Sequence, residues 1–486
     1  MNTEIKLLVS ELKSALPGLN KITGRKTTLP VLQNIKISRQ RNGLITLQAT
    51  DLDSFATYTV VGTQPGEPVE LLMPLEQLNK AFKSSGPKDE VAIICEGKET
   101  KLRYTIAGTP VHQPVTVLPV NEWPPVPQFK SESFKLDPAF GPALKQALES
   151  CSDDQSRYVL GGACLDVTDK KCHYIVGTNA RMLFSANSFT FPLTKSIIIP
   201  DSKFLCGGDL LDQEPCFMSV QPGKGRNAKT HICLKSSRWQ FITKDIDGEY
   251  PNWKQAIPTP TGKWTVVKLN PPAISQLLQV IPRLPGNDGL HDPVQLRIEK
   301  SLSAEGRNKE DKDWTKVAVS DVTITGKPQT IQLNRNYLIQ ALKFGFDEFA
   351  VEAENSPIVF IKQGRKFVIS PIGQRPSPTS QPPAPQPAAK PVSQTPKPQS
   401  QPERKTMART VAKAPVTSVQ APETKTSAIH DLLSEVDQIR ENLKTVLSNL
   451  TNVTGKLKAV EREKRVTEKE VEAIRKQLRR IQNVTI

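Results

Sequence analysis

The chain of 486 residues is poor in the groups that carry out chemistry. Its seven cysteines stand at 95, 151, 164, 172, 206, 216 and 233 with no CxxC pair among them, which excludes a zinc knuckle and a dithiol redox motif and leaves reduced, buried thiols as the expected state. The five histidines are scattered, with no HExxH and no Ser-His-Asp pattern, so neither a zincin nor a triad hydrolase is indicated. No metal, cofactor or enzymatic activity is expected. No run approaches the roughly 18 apolar residues of a membrane span, so no membrane partner is expected. The first residues, Met1-Asn2-Thr3-Glu4-Ile5-Lys6, lack a signal-peptide profile, and the expected location is the cytoplasm. The nearest approach to a nucleotide site is Gly223-Lys224-Gly225-Arg226-Asn227-Ala228-Lys229-Thr230, a P-loop with Ala for its second Gly. A P-loop must open a helix, but His231-Ile232-Cys233-Leu234 follows as a strand, so the segment reads as a basic hairpin loop.

What the chain does have is charge and repetition. Lysine and arginine outnumber acidic residues for a net +16, which points to an acidic partner, nucleic acid first. The excess is uneven: residues 376–427 hold seven basic against two acidic residues, residues 428–486 twelve against nine, and the first 375 are only mildly basic. Three segments have one pattern, a strand running into a short helix: Val69–Lys80, Ser196–Leu205 and Thr330–Ile339. A period of about 120–130 residues is too long for a solenoid unit and indicates tandem domains of one fold. The expected class is α+β, with domains at 1–127, 128–258 and 259–375. Helices are expected from the Ile5, Leu8, Val9 and Leu12 periodicity, at Pro74–Ser85, Pro142–Ser150, Ala273–Ile281 and Asn334–Phe344. Strands are expected near Tyr174–Thr178, Trp239–Lys244, Ile358–Ile361 and Lys366–Ser370, and Trp123–Pro127 reads as an extended link between domains.

Composition changes at Pro376. Up to about Ser427 the chain is Pro, Gln, Ser, Ala, Thr and Lys, too poor in large apolar residues to offset the entropy of ordering, so a disordered, Pro-rich linker is expected. Residues 428–486 then alternate apolar positions three and four apart, from Ile429, Leu432, Val436 and Ile439 through Leu457 and Val460 to Val471, Ile474, Leu478 and Ile481. Eight heptads in one phase, held at Lys464 and Thr467 by polar residues, predict a coiled coil.

Five segments of the first 375 residues, in order, resemble the bacterial sliding clamp, the beta subunit of DNA polymerase III: Gly24–Asn34 (GRKTTLPVLQN), Ala49–Asp53 (ATDLD), Arg157–Gly162 (RYVLGG), Val176–Leu183 (VGTNARML) and Asp247–Trp253 (DGEYPNW). The resemblance implies three DNA-clamp domains with inward helices and outward antiparallel sheets. Two chains would join head to tail into a ring around double-stranded DNA, tethering a replicative polymerase and meeting clamp loader subunits, with processivity arising from topology rather than from catalysis. Lys6, Lys13, Lys80, Lys83 and Lys145 on inward helices, with Lys203 at the start of another, are the phosphate-facing candidates. Arg25 and Tyr158 match positions that contact DNA in the family.

The family's partner-peptide pocket maps to Leu160, Thr178, Ala180, Arg181, Met182, Leu183, Pro251, Ala256, Val368, Ser370, Pro371 and Ile372. Val280 and Ile281 match its apolar dimer interface or are simply core. The family's usual Met-Pro-Met-Arg-Leu ending is Ser370-Pro371-Ile372-Gly373-Gln374 here, so a pocket with altered peptide preference is expected. The alternatives are a divergent clamp paralogue acting as a DNA-encircling scaffold in repair or on a mobile element, and a structural assembly protein built on its coiled coil.

Overall fold

The computed structural model describes residues 2–372 except 24–28, 98, 224–228 and 287–290. Arg25, the Pro-rich linker and the coiled coil therefore lie outside the described residues. The chain follows one path three times, strand-helix-three strands and then the same again. The first pass is β1 (Asn2–Leu8), α1 (Val9–Ile22), β2 (Asn34–Arg39), β3 (Leu44–Thr50), β4 (Ser54–Thr63), then β5 (Val69–Pro74), α2 (Leu75–Ser84), β6 (Glu90–Glu96), β7 (Glu99–Ile106) and β8 (Thr109–Val115). The second is β9 (Phe134–Lys135), α3 (Phe140–Leu148), β10 (Gly162–Asp166), β11 (His173–Thr178), β12 (Met182–Phe189), then β13 (Ile197–Pro200), α4 (Lys203–Cys206), β14 (Phe217–Gln221), β15 (His231–Lys235) and β16 (Trp239–Lys244). The third is β17 (Thr265–Leu269), α5 (Pro271–Val280), β18 (Pro293–Ile298), β19 (Leu302–Gly306), β20 (Thr315–Val319), an added strand β21 (Val322–Thr325), then β22 (Gln329–Asn334), α6 (Arg335–Lys343), β23 (Glu348–Val351), β24 (Ile358–Lys362) and β25 (Arg365–Ile369).

The halves of each pass exchange their leading strands: β5 pairs with β2 and β1 with β6, β13 with β10 and β9 with β14, β22 with β18 and β17 with β23. Successive passes are then stitched by their last strands. Antiparallel pairing of β4 with β16 makes one sheet of eight strands, and β12 with β25 one of nine. Two four-stranded sheets remain, ending in β8 and in β20. This α+β clamp architecture is the one expected.

Local chemistry explains the elements. β3 alternates half-buried and buried residues, Ile45, Leu47 and Ala49 facing the core. α1 buries Val9, Leu12, Ala15, Leu16, Leu19 and Ile22 at helical spacing over β3 and β4, and α3 buries Phe140, Ala143, Leu144, Ala147 and Leu148 over β10–β12. The expected N-terminal helix begins later than its periodicity suggested. Residues 2–8 are a strand, because Ile5 and Leu7 alternate into the core and β6 supplies backbone partners for all seven residues. Lys6 therefore lies on a strand, not on an inward helix, and its ammonium sits 3.3 Å from Glu90. Trp123 is less a link than an anchor: it is buried, and its indole donates to Gln48 at 2.9 Å.

Candidate DNA and partner interfaces

The candidate cations divide by what they touch. Lys13 is exposed on α1, opposite its buried stripe, and Lys83 is exposed near the end of α2. Lys83 also lines a recess of about 540 Å³ with Asn20, Thr23, Asn79 and Glu76, floored by reciprocal amide bonds between Asn20 and Asn79 at 3.2 and 3.0 Å. Lys203 is exposed at the first position of α4, which Ser202 caps by accepting from the Phe204 amide at 3.2 Å. Lys80 is bound 2.8 Å from Glu76, one turn back on α2, and that hydrogen bond holds the Glu76 carboxyl below its usual range. Lys145 is four-fifths buried and tied to Asp212, so its charge is already answered within the chain. Sequence reading passed over Lys21, bonded to Asp209 at 2.6 Å, and Lys343, exposed in the last turn of α6. Both lie on the same repeated helices as the candidates it chose, which is the signal that could have found them. α5 carries no cation. Tyr158, 60% exposed beside exposed Arg157, sits in Gln155–Leu160, two short 3-10 turns separated by a kink at Arg157 (φ −118°, ψ 48°).

Of the residues matched to a peptide pocket, Met182, Leu183 and Val368 lie where β12 meets β25, with Met182 opposite Ile369 and Leu183 opposite Val368. The turn joining β11 to β12 is pinned from within. The Thr178 hydroxyl donates to the Met182 carbonyl at 2.6 Å and accepts from the Ala180 amide at 3.1 Å. The Asn179 carboxamide accepts from the Arg181 and Met182 amides and donates to the Tyr337 hydroxyl at 3.1 Å, bracing the turn against α6. Ala180 is held at φ 68°, a left-handed conformation in which alanine is strained by about 1 kcal/mol relative to glycine. The Ser370 amide reaches the Arg181 carbonyl at 2.9 Å, and the Ile372 amide reaches Gln332 at 2.8 Å.

Leu160, Thr178, Met182, Leu183 and Val368 are buried; Ala180, Arg181, Pro251, Ala256 and Ser370 are exposed, with Pro371 and Ile372 between. Along β12 and β25 these buried residues face two sides of the sheet: Met182 packs in one core cluster with Ile369, and Leu183 in another with Val368. Pro251 also borders a separate recess of about 620 Å³ lined by Asp166, Thr168, Tyr250, Trp253 and Lys254. Burial there would raise the Asp166 carboxyl, but bonds from Thr168 and from the Trp253 indole at 2.9 Å outweigh it and hold the group ionised.

Of the apolar pair at the end of α5, Val280 is half-buried, whereas Ile281 is wholly buried in the chain's own core and offers nothing to a facing subunit. All seven cysteines are unpaired. Burial raises Cys164 and Cys206 to about 12, so both stay neutral thiols. Among the described residues no group of three His, Cys, Asp or Glu could hold a metal, and no helix is long and apolar enough to cross a membrane.

No protein-family model matches the chain. In sequence it is similar to the beta sliding clamp of Pseudomonas putida, 24% identical over 246 residues. That match covers 49% of this chain and 63% of the relative, so the chain spans under two thirds of that protein's length. The beta sliding clamp of Vibrio cholerae is 21% identical over 340 residues, 68% of this chain and 88% of the relative. In structure it is similar to the DNA polymerase III beta subunit of Pseudomonas aeruginosa, with TM-score 0.63, 21% identity, and coverage of 76% of this chain and all of that one. The sliding clamp of Bacillus subtilis gives TM-score 0.64 at 16% identity over 77% of this chain. The fold is that of the bacterial beta clamps.

Proposed function

We propose that the chain is a non-enzymatic DNA sliding clamp, which closes head to tail with a second copy around duplex DNA in the cytoplasm and tethers a DNA polymerase. One observation carries this reading. The last strand of each first half joins the last strand of the next pass's second half, as β4 joins β16 and β12 joins β25. Continued once more, the series gives β20 a partner equivalent to β8, and these are the two strands left without one, with largely exposed side chains. A second copy would supply β8 to β20.

Inside such a ring, exposed lysines hold phosphates without reading bases, a contact that exchanges easily as the ring moves. Lys13, Lys83 and Lys203 are assigned this role. Replacing all three by alanine is expected to flatten the log-log dependence of duplex binding on salt by about 0.9 per lysine that meets a phosphate. An unchanged slope, measured by equilibrium titration, would remove them from the interface. The exposed turn Ala180–Arg181 and the adjoining Ser370–Ile372 are assigned to partner peptides. Ser370 and strained Ala180 favour, as a second reading, a divergent paralogue with its own peptide preference and with segment 428–486 as a further assembly element.

The test of the main reading is retention on circular DNA with a clamp loader, before and after the circle is cut. Loss through free ends is expected. Retention indifferent to ends but abolished by salt would mean that a basic surface, not a closed ring, holds the DNA.

A further inference from the structure

Two details of the free edges fix how the copies can meet, given the ring proposed above. The turn between β7 and β8 is Ala107-Gly108, both at positive φ (48° and 82°), closing on the pair Ile106 and Thr109. Such a two-residue turn closes on a hydrogen-bonded pair. Thr109, Val111, Gln113 and Val115 therefore direct their backbone groups to β7, and Pro110, His112 and Pro114 direct theirs outward. The prolines agree, since a residue with no N–H is tolerated where the strand faces no neighbour. Along this edge β8 offers three carbonyls and one donor, the His112 amide.

On the other edge, the Gln276 side chain of α5 lies along β20 like a peptide unit. It donates to the Ala318 carbonyl at 2.8 Å and accepts from the Ser320 amide at 3.3 Å. The even-numbered residues of β20 thus face the free edge, with one acceptor and one donor already engaged.

We infer that β8 of one copy pairs antiparallel with β20 of a second copy with His112 opposite Lys316. The direction follows from the antiparallel β4–β16 and β12–β25 junctions. In this register His112 and Lys316 exchange both backbone bonds, the Ala318 amide donates to the Pro110 carbonyl, and the Trp314 amide to that of Pro114. Pro110 has nothing to donate to the Ala318 carbonyl, and that is the carbonyl Gln276 satisfies. Sliding two residues one way sets the single His112 donor against that occupied carbonyl and the Pro110 carbonyl against the occupied Ser320 amide. Sliding the other way leaves the Ala318 amide opposite Gly108, in the turn.

On the inner face the register opposes Val111 to Val317, both half-buried in the lone chain and packed at the margin of the core. A face-to-face dimer through β8 gains less: centred on His112, only the two His112 amides can donate, since Pro110 would oppose Pro114 and neither has an N–H. The edge accepts the other end of the same chain.

The test uses the full chain with cysteine pairs, mild oxidation and mass spectrometry of the linked peptides, against the wild-type background. Val111 and Val317 form a non-hydrogen-bonded pair with Cα atoms about 4.5 Å apart, within disulfide reach. Thr315 or Val319 is displaced by two residues, about 6.8 Å along the strand, and out of reach. V111C/V317C is expected to link between copies, with V111C/T315C and V111C/V319C at background. H112P, which removes the remaining edge donor from an otherwise unpaired position, is expected to abolish the V111C/V317C link while leaving the chain's far-ultraviolet circular dichroism unchanged. An offset pair that links instead overturns the register and leaves the ring standing. Linking by none of the pairs, with a chain that does not assemble through this edge, overturns ring and register together.

Discussion

Replacing Arg335 by methionine is expected to destabilise the third pass by about 3–5 kcal/mol, as is usual when a buried charge's partners are left without it. Arg335 opens α6 and is 3% exposed. Its guanidinium donates to five backbone carbonyls: Leu284 at 2.6 Å, Pro285 at 2.7 Å, Pro293 at 2.9 Å, Asp292 at 3.3 Å and Ile281 at 3.4 Å. These carbonyls lie on either side of the connection from α5 to β18. A planar fork of five donors suits this task. A lysine with three donors on a point charge leaves some carbonyls unmet, so R335K should recover only part of the loss. Hydrogen exchange should locate the damage in residues 281–286 and 291–294, with the first pass unaffected. Uniform protection in the variant would show that the guanidinium is dispensable.

The second large effect is expected at Gly177 on β11. A Cβ there would stand 1.8 Å from the Ala147 carbonyl oxygen and under 3 Å from two more backbone atoms of α3. Backbone cannot rotate away as a side chain can, so G177A must lift α3 off its sheet, at about 3 kcal/mol. The same carbonyl accepts a hydrogen bond from the Cys151 thiol at 3.2 Å, and burial keeps that thiol well above its ordinary pKa. Thiol labelling at neutral pH should therefore be slow at Cys151 in the native chain and fast in G177A. Equal labelling rates would mean that the helix accommodates the methyl group in place.

Much of the fold was legible because its signals are local. α2 and α6 each follow a strand and bury residues at helical spacing, Leu75 and Leu78 in one and Leu338, Ala341 and Leu342 in the other. β1 was not legible in the same way. Ile5, Leu8, Val9 and Leu12 fit a helix, Ile5, Leu7 and Val9 fit a strand, and only β6, more than eighty residues on, decides between them. The same ground governs the candidate cations. Lys145 looks like any helix-face cation until Asp212, 67 residues away, is seen to hold it. Arg335 lay within one of the three repeated segments and was passed over, since no local pattern announces a buried guanidinium that gathers main-chain carbonyls. The strain at Ala180 shows only in the dihedral.

The two unlike free edges have a consequence for stoichiometry. A chain whose head fits its tail has no built-in stopping number, because each addition exposes the same pair of ends; it halts only when the accumulated rotation returns to the start. That rotation is set at the β4–β16 and β12–β25 junctions inside each chain as much as at the seam between copies. A substitution that flattened either internal junction would leave the seam intact and still turn a closed circle into an open helical filament.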